Sequence, residues 1–385
     1  MIEQKEHFHG SDLEKIEKLY GIKKENIVSF AANVNPLGES GKLKTALSER
    51  IDAITKYPDR EYTSLRKAIG SYCKCDYNHI TVGNGCTELI SLFIQITAPK
   101  KTILLGPTYS EYERDLRING SDISYYFLKE KDDFKINSDE FISAITADTD
   151  LVIICNPNNP TGYLYTRKEM NQIRDLVRKY DLFLFSDEVY REFCYTGAPY
   201  ISAFHLEGIE NNVILVDSVS KRYSECGIRI GALITKNKQV RENVLKWCQA
   251  RLSPPLIGQI MAEASLDTPE EYMRDVYDEY VERRKFLIDG LNRIPGCYSP
   301  IPMGAFYTVA RLPIDDADKF CAWCLEEFDY EGQTIFMAPA SGFYTTPGLG
   351  KNEVRLAYVL KKEDLAKALV VLEKALETYN KKGKK

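Results

Sequence analysis

The sequence lacks most of the patterns from which whole function classes are built. Histidine occurs only four times in 385 residues, as His7, His9, His79 and His205, too scattered to frame a metal site. Ten cysteines are present, yet only Cys73 with Cys75 and Cys321 with Cys324 stand close together. A zinc ribbon needs two paired-cysteine knuckles roughly 15–20 residues apart, and these pairs lie in opposite halves of the chain. The second pair falls in an apparent helix over 317–328. All ten are therefore expected to be free thiols packing as small hydrophobes, with no metal centre. Long apolar runs are missing too: those such as 151–155 fall far short of the roughly 18 residues of a membrane span. So is an excess of positive charge. Fifty-one Lys and Arg against 56 Asp and Glu give a net charge of −5, and a well-mixed acidic surface argues against a nucleic-acid binder. The polar opening, residues 1–9, is unlike a signal or transit peptide, which points to the cytoplasm.

What remains is an ordinary globular composition, 44% hydrophobic and 28% charged, in a chain long enough for two domains. Between residues 80 and 235, short β-rich runs alternate with charged amphipathic stretches. The runs are 80–82, 102–105, 151–155, 182–185, 213–216 and 231–234. Several are continuously apolar, as in strands buried on both faces of a parallel sheet. Residues 166–180 carry Met170, Ile173, Leu176 and Val177 on one helical stripe. The alternation predicts a doubly wound, mainly parallel α/β domain. Beyond about residue 240 the character changes. Thr268-Pro269-Glu270-Glu271 reads as a capping box opening a long helix. Short strands follow, and Leu365, Leu369, Leu372, Leu376 and Tyr379 mark a last amphipathic helix. The expected division is a large domain over 45–265 and a smaller α+β domain from 1–44 plus 266–385.

In an open α/β sheet, ligands bind beyond the carboxyl ends of the strands. After the first run comes Gly83-Asn84-Gly85-Cys86-Thr87-Glu88, glycines entering a helix N-terminus that can seat an anion on free amides. The third glycine of a dinucleotide fingerprint is absent, and no GxxxxGK(S/T) loop occurs. Tyr109 follows the second run, Asn156-Pro157-Asn158-Asn159-Pro160-Thr161-Gly162 the third, Ser186-Asp187-Glu188-Val189-Tyr190 the fourth, and Asp217-Ser218-Val219-Ser220-Lys221 the fifth. Arg229 stands eight residues past the lysine. Any one of these is an ordinary loop residue; five strand ends with polar groups able to converge are a site.

Asn159-Pro160-Thr161-Gly162, Asp187 with Tyr190, and Ser218-x-Ser220-Lys221 with Arg229, followed in order by Arg355 in Glu353-Val354-Arg355-Leu356, resemble the signature of fold type I pyridoxal-phosphate enzymes, and more narrowly class I/II aminotransferases. The resemblance implies pyridoxal 5′-phosphate as cofactor and Lys221 as the amine that forms the Schiff base and shuttles a proton. It implies Asp187 on the pyridine nitrogen, Tyr190 and Asn159 at the ring's 3′ oxygen, and Tyr109 stacked on the ring. The phosphate would be gripped by Arg229, Ser218, Ser220 and the amides of Gly85, Cys86 and Thr87. Arg355 would take the substrate α-carboxylate as a bidentate fork. Many relatives carry an acidic residue or glycine where Cys86-Thr87 stands. Tyr57, in Lys56-Tyr57-Pro58-Asp59, resembles a tyrosine that reaches the phosphate of a second subunit, which implies a homodimer with shared active sites.

The two chain ends resemble different members. His9-Gly10 and the segment from Phe30 to Gly38 are similar to histidinol-phosphate aminotransferases and threonine-phosphate decarboxylases. Ala250-Arg251-Leu252-Ser253-Pro254-Pro255 and the segment from Ala338 to Gly348 are similar to an aspartate-aminotransferase-like subgroup. The longer resemblance favours amino transfer between an L-amino acid and a 2-oxo acid, with a dicarboxylic donor as the default and Arg251 as candidate second cation. The alternatives are decarboxylation or elimination on the same scaffold, as in threonine-phosphate decarboxylases, or the activity of a histidinol-phosphate aminotransferase. An effector-sensing regulator would need a DNA-binding domain, for which the residues before Asn33 leave no room.

Overall fold

The computed structural model describes residues 13–382 apart from 33, 38–40, 133, 253 and 345. His7, His9, Gly10, Asn33, Gly38 and Ser253 thus lie outside the described residues. The described strands are, in chain order, β1 (Ile27–Ser29), β2 (Ile80–Asn84), β3 (Lys101–Gly106), β4 (Asp122–Phe127), β5 (Leu151–Cys155), β6 (Phe183–Asp187), β7 (Val213–Ser218) and β8 (Ile230–Ile234). They continue with β9 (Tyr307–Arg311), β10 (Thr334–Phe336), β11 (Ala338–Pro339) and β12 (Glu353–Ala357).

All six apolar runs enter one seven-stranded sheet of order β2-β8-β7-β6-β5-β3-β4. β8 alone runs opposite to the other six strands, so the sheet is mainly parallel, as expected. The continuous apolarity of β5 has a direct cause. Val152 and Ile154 pack with Met170, Ile173 and Val177 of the helix Arg167–Tyr180. Leu151 and Ile153 pack on the other face with Leu89, Ile90 and Phe93 of the helix Cys86–Thr97. Each such side chain contributes roughly 1.5–3 kcal/mol of burial. Thr166 and Glu169 close a capping box that fixes where the first of these helices begins.

The sequence reading missed β4. This strand pairs only with β3 at the sheet edge, and its sequence, Asp122-Ile123-Ser124-Tyr125-Tyr126-Phe127, is only partly buried. An edge strand covered on one side needs no unbroken apolar run. The capping box at 268–271 is a second correction. The helix runs Glu270–Leu291 with Pro269 as its cap and no side-chain cap bond. The Thr268 amide instead donates to Ser265 O at 2.9 Å, so Thr268 closes the turn after the preceding helix.

In the carboxyl-terminal part, β11, β12 and β9 form an antiparallel sheet. It is backed by Glu270–Leu291 and by Lys362–Lys382, which buries Leu365, Leu372 and Leu376. Parallel pairing of β1 with β10 brings residues 27–29 against residues 334–336. All ten cysteines are free. Among the described residues, no helix is long and apolar enough to cross a membrane.

Candidate active site

The carboxyl ends of β2, β5, β6 and β7 open onto a cavity of about 530 Å³. Asp187 is the last residue of β6 and is 5% exposed. Its Oδ2 accepts a 2.6 Å hydrogen bond from the Tyr112 phenol, and its Oδ1 accepts from the Val189 amide at 3.2 Å. Burial pushes this carboxyl up to about 6, with the Tyr112 and Val189 bonds pulling the other way. Lys221 follows β7 in the short helix Val219–Arg222. Its enclosure holds the ammonium down to about 8, because burial penalises the charged form. Its Nζ stands 5.8 Å from the centre of the Tyr190 ring. The Tyr190 oxygen lies 3.0 Å from the Tyr307 phenol oxygen, and burial pushes the Tyr190 phenol up.

A second group lines the same cavity where β2 meets β8. Ser218 Oγ lies 2.8 Å from Ser220 Oγ and from the Ile230 carbonyl, and it accepts from the Ser220 amide. Arg229 adopts φ 57° and anchors Nη1 on Cys226 O at 2.9 Å. Its other nitrogen, Nη2, packs over Gly85, where a Cβ would stand 2.1 Å away. Gly85 itself has φ +79°, a conformation that disfavours any other residue. Gly231 is equally confined: a Cβ there would lie 2.5 Å from Cys86 N. Two glycines thus let the arginine and β8 close onto the N-terminus of Cys86–Thr97. The amides of Cys86 and Thr87 open that helix and have no acceptor within it. The Gly85 amide departs from expectation, because it already donates to Gly83 O at 2.9 Å. Thr87 and Tyr109 line the cavity beside them, with Tyr109 capping the next helix and meeting Tyr112 edge-on at 5.6 Å.

Arg355 comes from β12 and is 6% exposed. Its Nη1 donates to Asn159 Oδ1 and its Nη2 to Ala31 O, both at 3.2 Å. The guanidinium carbon sits 4.5 Å from the Tyr307 ring centre and 5.0 Å from that of Phe343. Its Nε is buried with no hydrogen-bond partner. A buried, unsatisfied donor on a cation is costly, and this one borders a cavity.

Eleven of the fourteen residues singled out from sequence therefore border one cavity, Gly85 lying directly behind it. Two stand apart. Tyr57 is 84% exposed and does not line the cavity. Arg251 does not line it either; its guanidinium pairs with the Glu88 carboxylate through Nε and Nη2. It is neither a cavity cation nor a solvated helix end. Sequence reasoning missed Tyr112, Tyr307 and Phe343. Tyr112 was within reach, being one helical turn past Tyr109. Nothing in the sequence ties Tyr307 to Tyr190, 117 residues away.

The donor set fits pyridoxal phosphate. A buried amine of lowered pKa suits its aldehyde, a buried carboxylate its ring nitrogen, and the arginine, hydroxyls and helix amides its phosphate. The comparisons agree. The sequence pattern of the family described as aminotransferase class I and II matches residues 25–372. A threonine-phosphate decarboxylase of Salmonella typhimurium is 29% identical over 263 residues, covering 67% of this chain and 70% of its own. The histidinol-phosphate aminotransferase of Methanocaldococcus jannaschii is 26% identical over 378 residues, covering 97% and 95%. A double mutant of the Thermus thermophilus aspartate aminotransferase superposes with a TM-score of 0.84 across 97% of both chains, at 22% identity. The chain belongs to the class I and II aminotransferase family, a fold type I family whose members use pyridoxal phosphate.

Proposed function

We propose that the protein moves an amino group between an L-amino acid and a 2-oxo acid, releasing the oxo acid of the first and the amino acid of the second. The observation that carries this reading is Arg355. Its orphan Nε and its fixed plane, held by Asn159, Ala31 and the Tyr307 ring, form a fork for an α-carboxylate on the cavity that also holds Lys221. When bound, the cofactor supplies an electron sink for the substrate's Cα electrons. The chain supplies the rest. Lys221 Nζ, with its lowered pKa, takes and returns a proton near neutral pH. Asp187 keeps a proton on the ring nitrogen, while Tyr190 and Asn159 serve the 3′ oxygen. Tyr109 covers a ring face, and Ser218, Ser220, Arg229 and the amides of Cys86 and Thr87 hold the phosphate.

The exposed Tyr57 supports a homodimer in which this ring enters the phosphate site of a second copy. Pairing of β1 with β10 supports a small domain drawn from 1–44 and 266–385 beside a large one over 45–265. The similarity to a threonine-phosphate decarboxylase supports a second reading, carboxylate loss from the same bound substrate.

Incubating the purified holoenzyme with 2-oxoglutarate and a panel of amino acids, while measuring oxo acid, glutamate and carbon dioxide, tests both. Oxo acid and glutamate in equal amounts are expected; carbon dioxide without glutamate would replace amino transfer by decarboxylation.

A further inference from the structure

One side chain, Tyr307, touches both the arginine fork and the tyrosine beside Lys221. It lies on β9, which pairs antiparallel with β12, and Val309 stands opposite Arg355 in that register. Side chains two residues apart on a strand share a face, so Tyr307 and Arg355 are diagonal neighbours on one side of the sheet. The Arg355 guanidinium carbon accordingly sits 4.5 Å from the Tyr307 ring centre, within reach of a cation–π contact. The far end of the same side chain meets a different element. Tyr307 Oη is 3.0 Å from Tyr190 Oη, and the two rings cross edge-on at 5.5 Å. Phe306 wedges against both, 5.2 Å from the Tyr190 ring and 4.8 Å from that of Tyr307. Tyr190 and Tyr307 are 4% and 0% exposed, so the pair is closed off within a single chain.

A hydroxyl has one proton to give and can also accept, and within this pair either oxygen can be the donor. Once Tyr190 gives its proton to another acceptor, its oxygen can only accept, and Tyr307 becomes the donor. A phenol that accepts a hydrogen bond is itself a stronger donor, because successive bonds polarise one another. Burial pushes both phenols up, and Arg355 pulls both the other way. Cys155 and Lys221 also stand beside the pair.

We infer that Tyr307 is a positioning residue for both halves of the site. Its ring sets the plane of Arg355, and its hydroxyl donates to Tyr190 so that the Tyr190 proton is directed at the cofactor's 3′ oxygen. The second part rests on the reading that places Tyr190 at that oxygen, and the test separates the two.

The experiment is a pH titration of the bound cofactor's absorbance, which reports the proton on the nitrogen shared with Lys221. It compares the unsubstituted protein with Tyr190→Phe, Tyr307→Phe and the double variant. A weaker donor at the 3′ oxygen leaves more negative charge there, and that charge holds the neighbouring proton to higher pH. Tyr190→Phe should therefore raise the midpoint; an unmoved midpoint would overturn the placement of Tyr190 itself. Tyr307→Phe should raise it by a smaller amount, ~0.2–1 pH unit, up to the span of one neutral hydrogen bond. A shift in Tyr190→Phe with none in Tyr307→Phe overturns the inference. In the double variant the Tyr307 change should add nothing further, and an additive shift would show that its hydroxyl does not act through Tyr190. Phenylalanine keeps the ring, so Tyr307→Phe should lower kcat while leaving KM for 2-oxoglutarate within about twofold. Tyr307→Leu should raise that KM roughly threefold or more by removing the cation–π contact. Equal KM values for the two variants would remove the ring from the carboxylate fork.

Discussion

The Tyr112 phenol, from the helix Ser110–Ile118, donates to Oδ2 of Asp187, the last residue of β6, across 2.6 Å of buried space. The bond favours the ionised carboxyl, opposing the burial that pushes Asp187 up to about 6. On the proposed reading Tyr112 is a positioning residue, acting on the ring nitrogen through Asp187.

Tyr112→Phe should therefore bind cofactor and fold, but with Asp187 harder to ionise. A hydrogen bond to a charged group is worth roughly 1.5–3 kcal/mol, so the rate should fall on the order of tenfold or more. The sign for pH follows from the same bond. Losing it raises the Asp187 pKa, so the acid limb of the kcat/KM profile should move to higher pH. A uniform loss without that movement would indicate only local disorder. Asp187→Asn should lose several orders of magnitude in rate while retaining cofactor, because a neutral amide cannot hold the ion pair.

Borohydride treatment of the holoenzyme should fix the cofactor covalently to the peptide containing Lys221. Lys221→Ala should abolish turnover. The pH dependence of loading is a separate check. Burial holds the Lys221 ammonium down to about 8, and only the neutral amine attacks an aldehyde. Cofactor capture by the cofactor-free protein should speed up as pH rises and level off above about pH 8. An ordinary lysine, with a pKa of about 10.4, would keep accelerating two units further.

Gly85→Ala should weaken the phosphate seat. A methyl group at this position would stand 2.1 Å from Arg229 Nη2, on a backbone with φ +79°. The arginine must swing away or the loop must rearrange. Equilibrium dialysis should show cofactor affinity down by at least tenfold, with a smaller effect on kcat at saturating cofactor. Unchanged affinity would mean that Arg229 is not a phosphate ligand.

The sheet and its binding edge were legible because strands buried on both faces must be continuously apolar, and Leu151 to Cys155 are buried throughout. The edge strand β4, half-exposed, carried no such signal. In the site, residues next to a strand end were readable from local order, as with Asp187 and Lys221. Residues that meet only through tertiary packing were not. Tyr307 reaches Tyr190 from a different sheet, and Asp318 enters the cavity from a helix whose stripe reads as ordinary core. Arg251 shows the converse failure. A lone cation in a loop was visible, but its partner Glu88, 163 residues away, was not.

That partner defines the last prediction. Glu88 accepts from Arg251 and also, through Oε2, from the Asn84 amide at 2.6 Å. Arg251 additionally donates to Cys248 O at 2.8 Å, at the end of the helix Lys238–Ala250. The pair therefore clamps the Gly83–Gly85 turn to that helix from outside the cavity. The side chains are 27% and 23% exposed, between a solvated pair worth about 0–1 kcal/mol and a fully buried one that costs about 3–5 kcal/mol to break. Arg251→Ala should cost about 1–2 kcal/mol on that scale, read as a lower denaturant midpoint. Any loss of activity should be shared by dicarboxylate and neutral substrates alike, and Glu88→Gln should reproduce it. A loss confined to dicarboxylates would return Arg251 to the side-chain site and displace the clamp as its role.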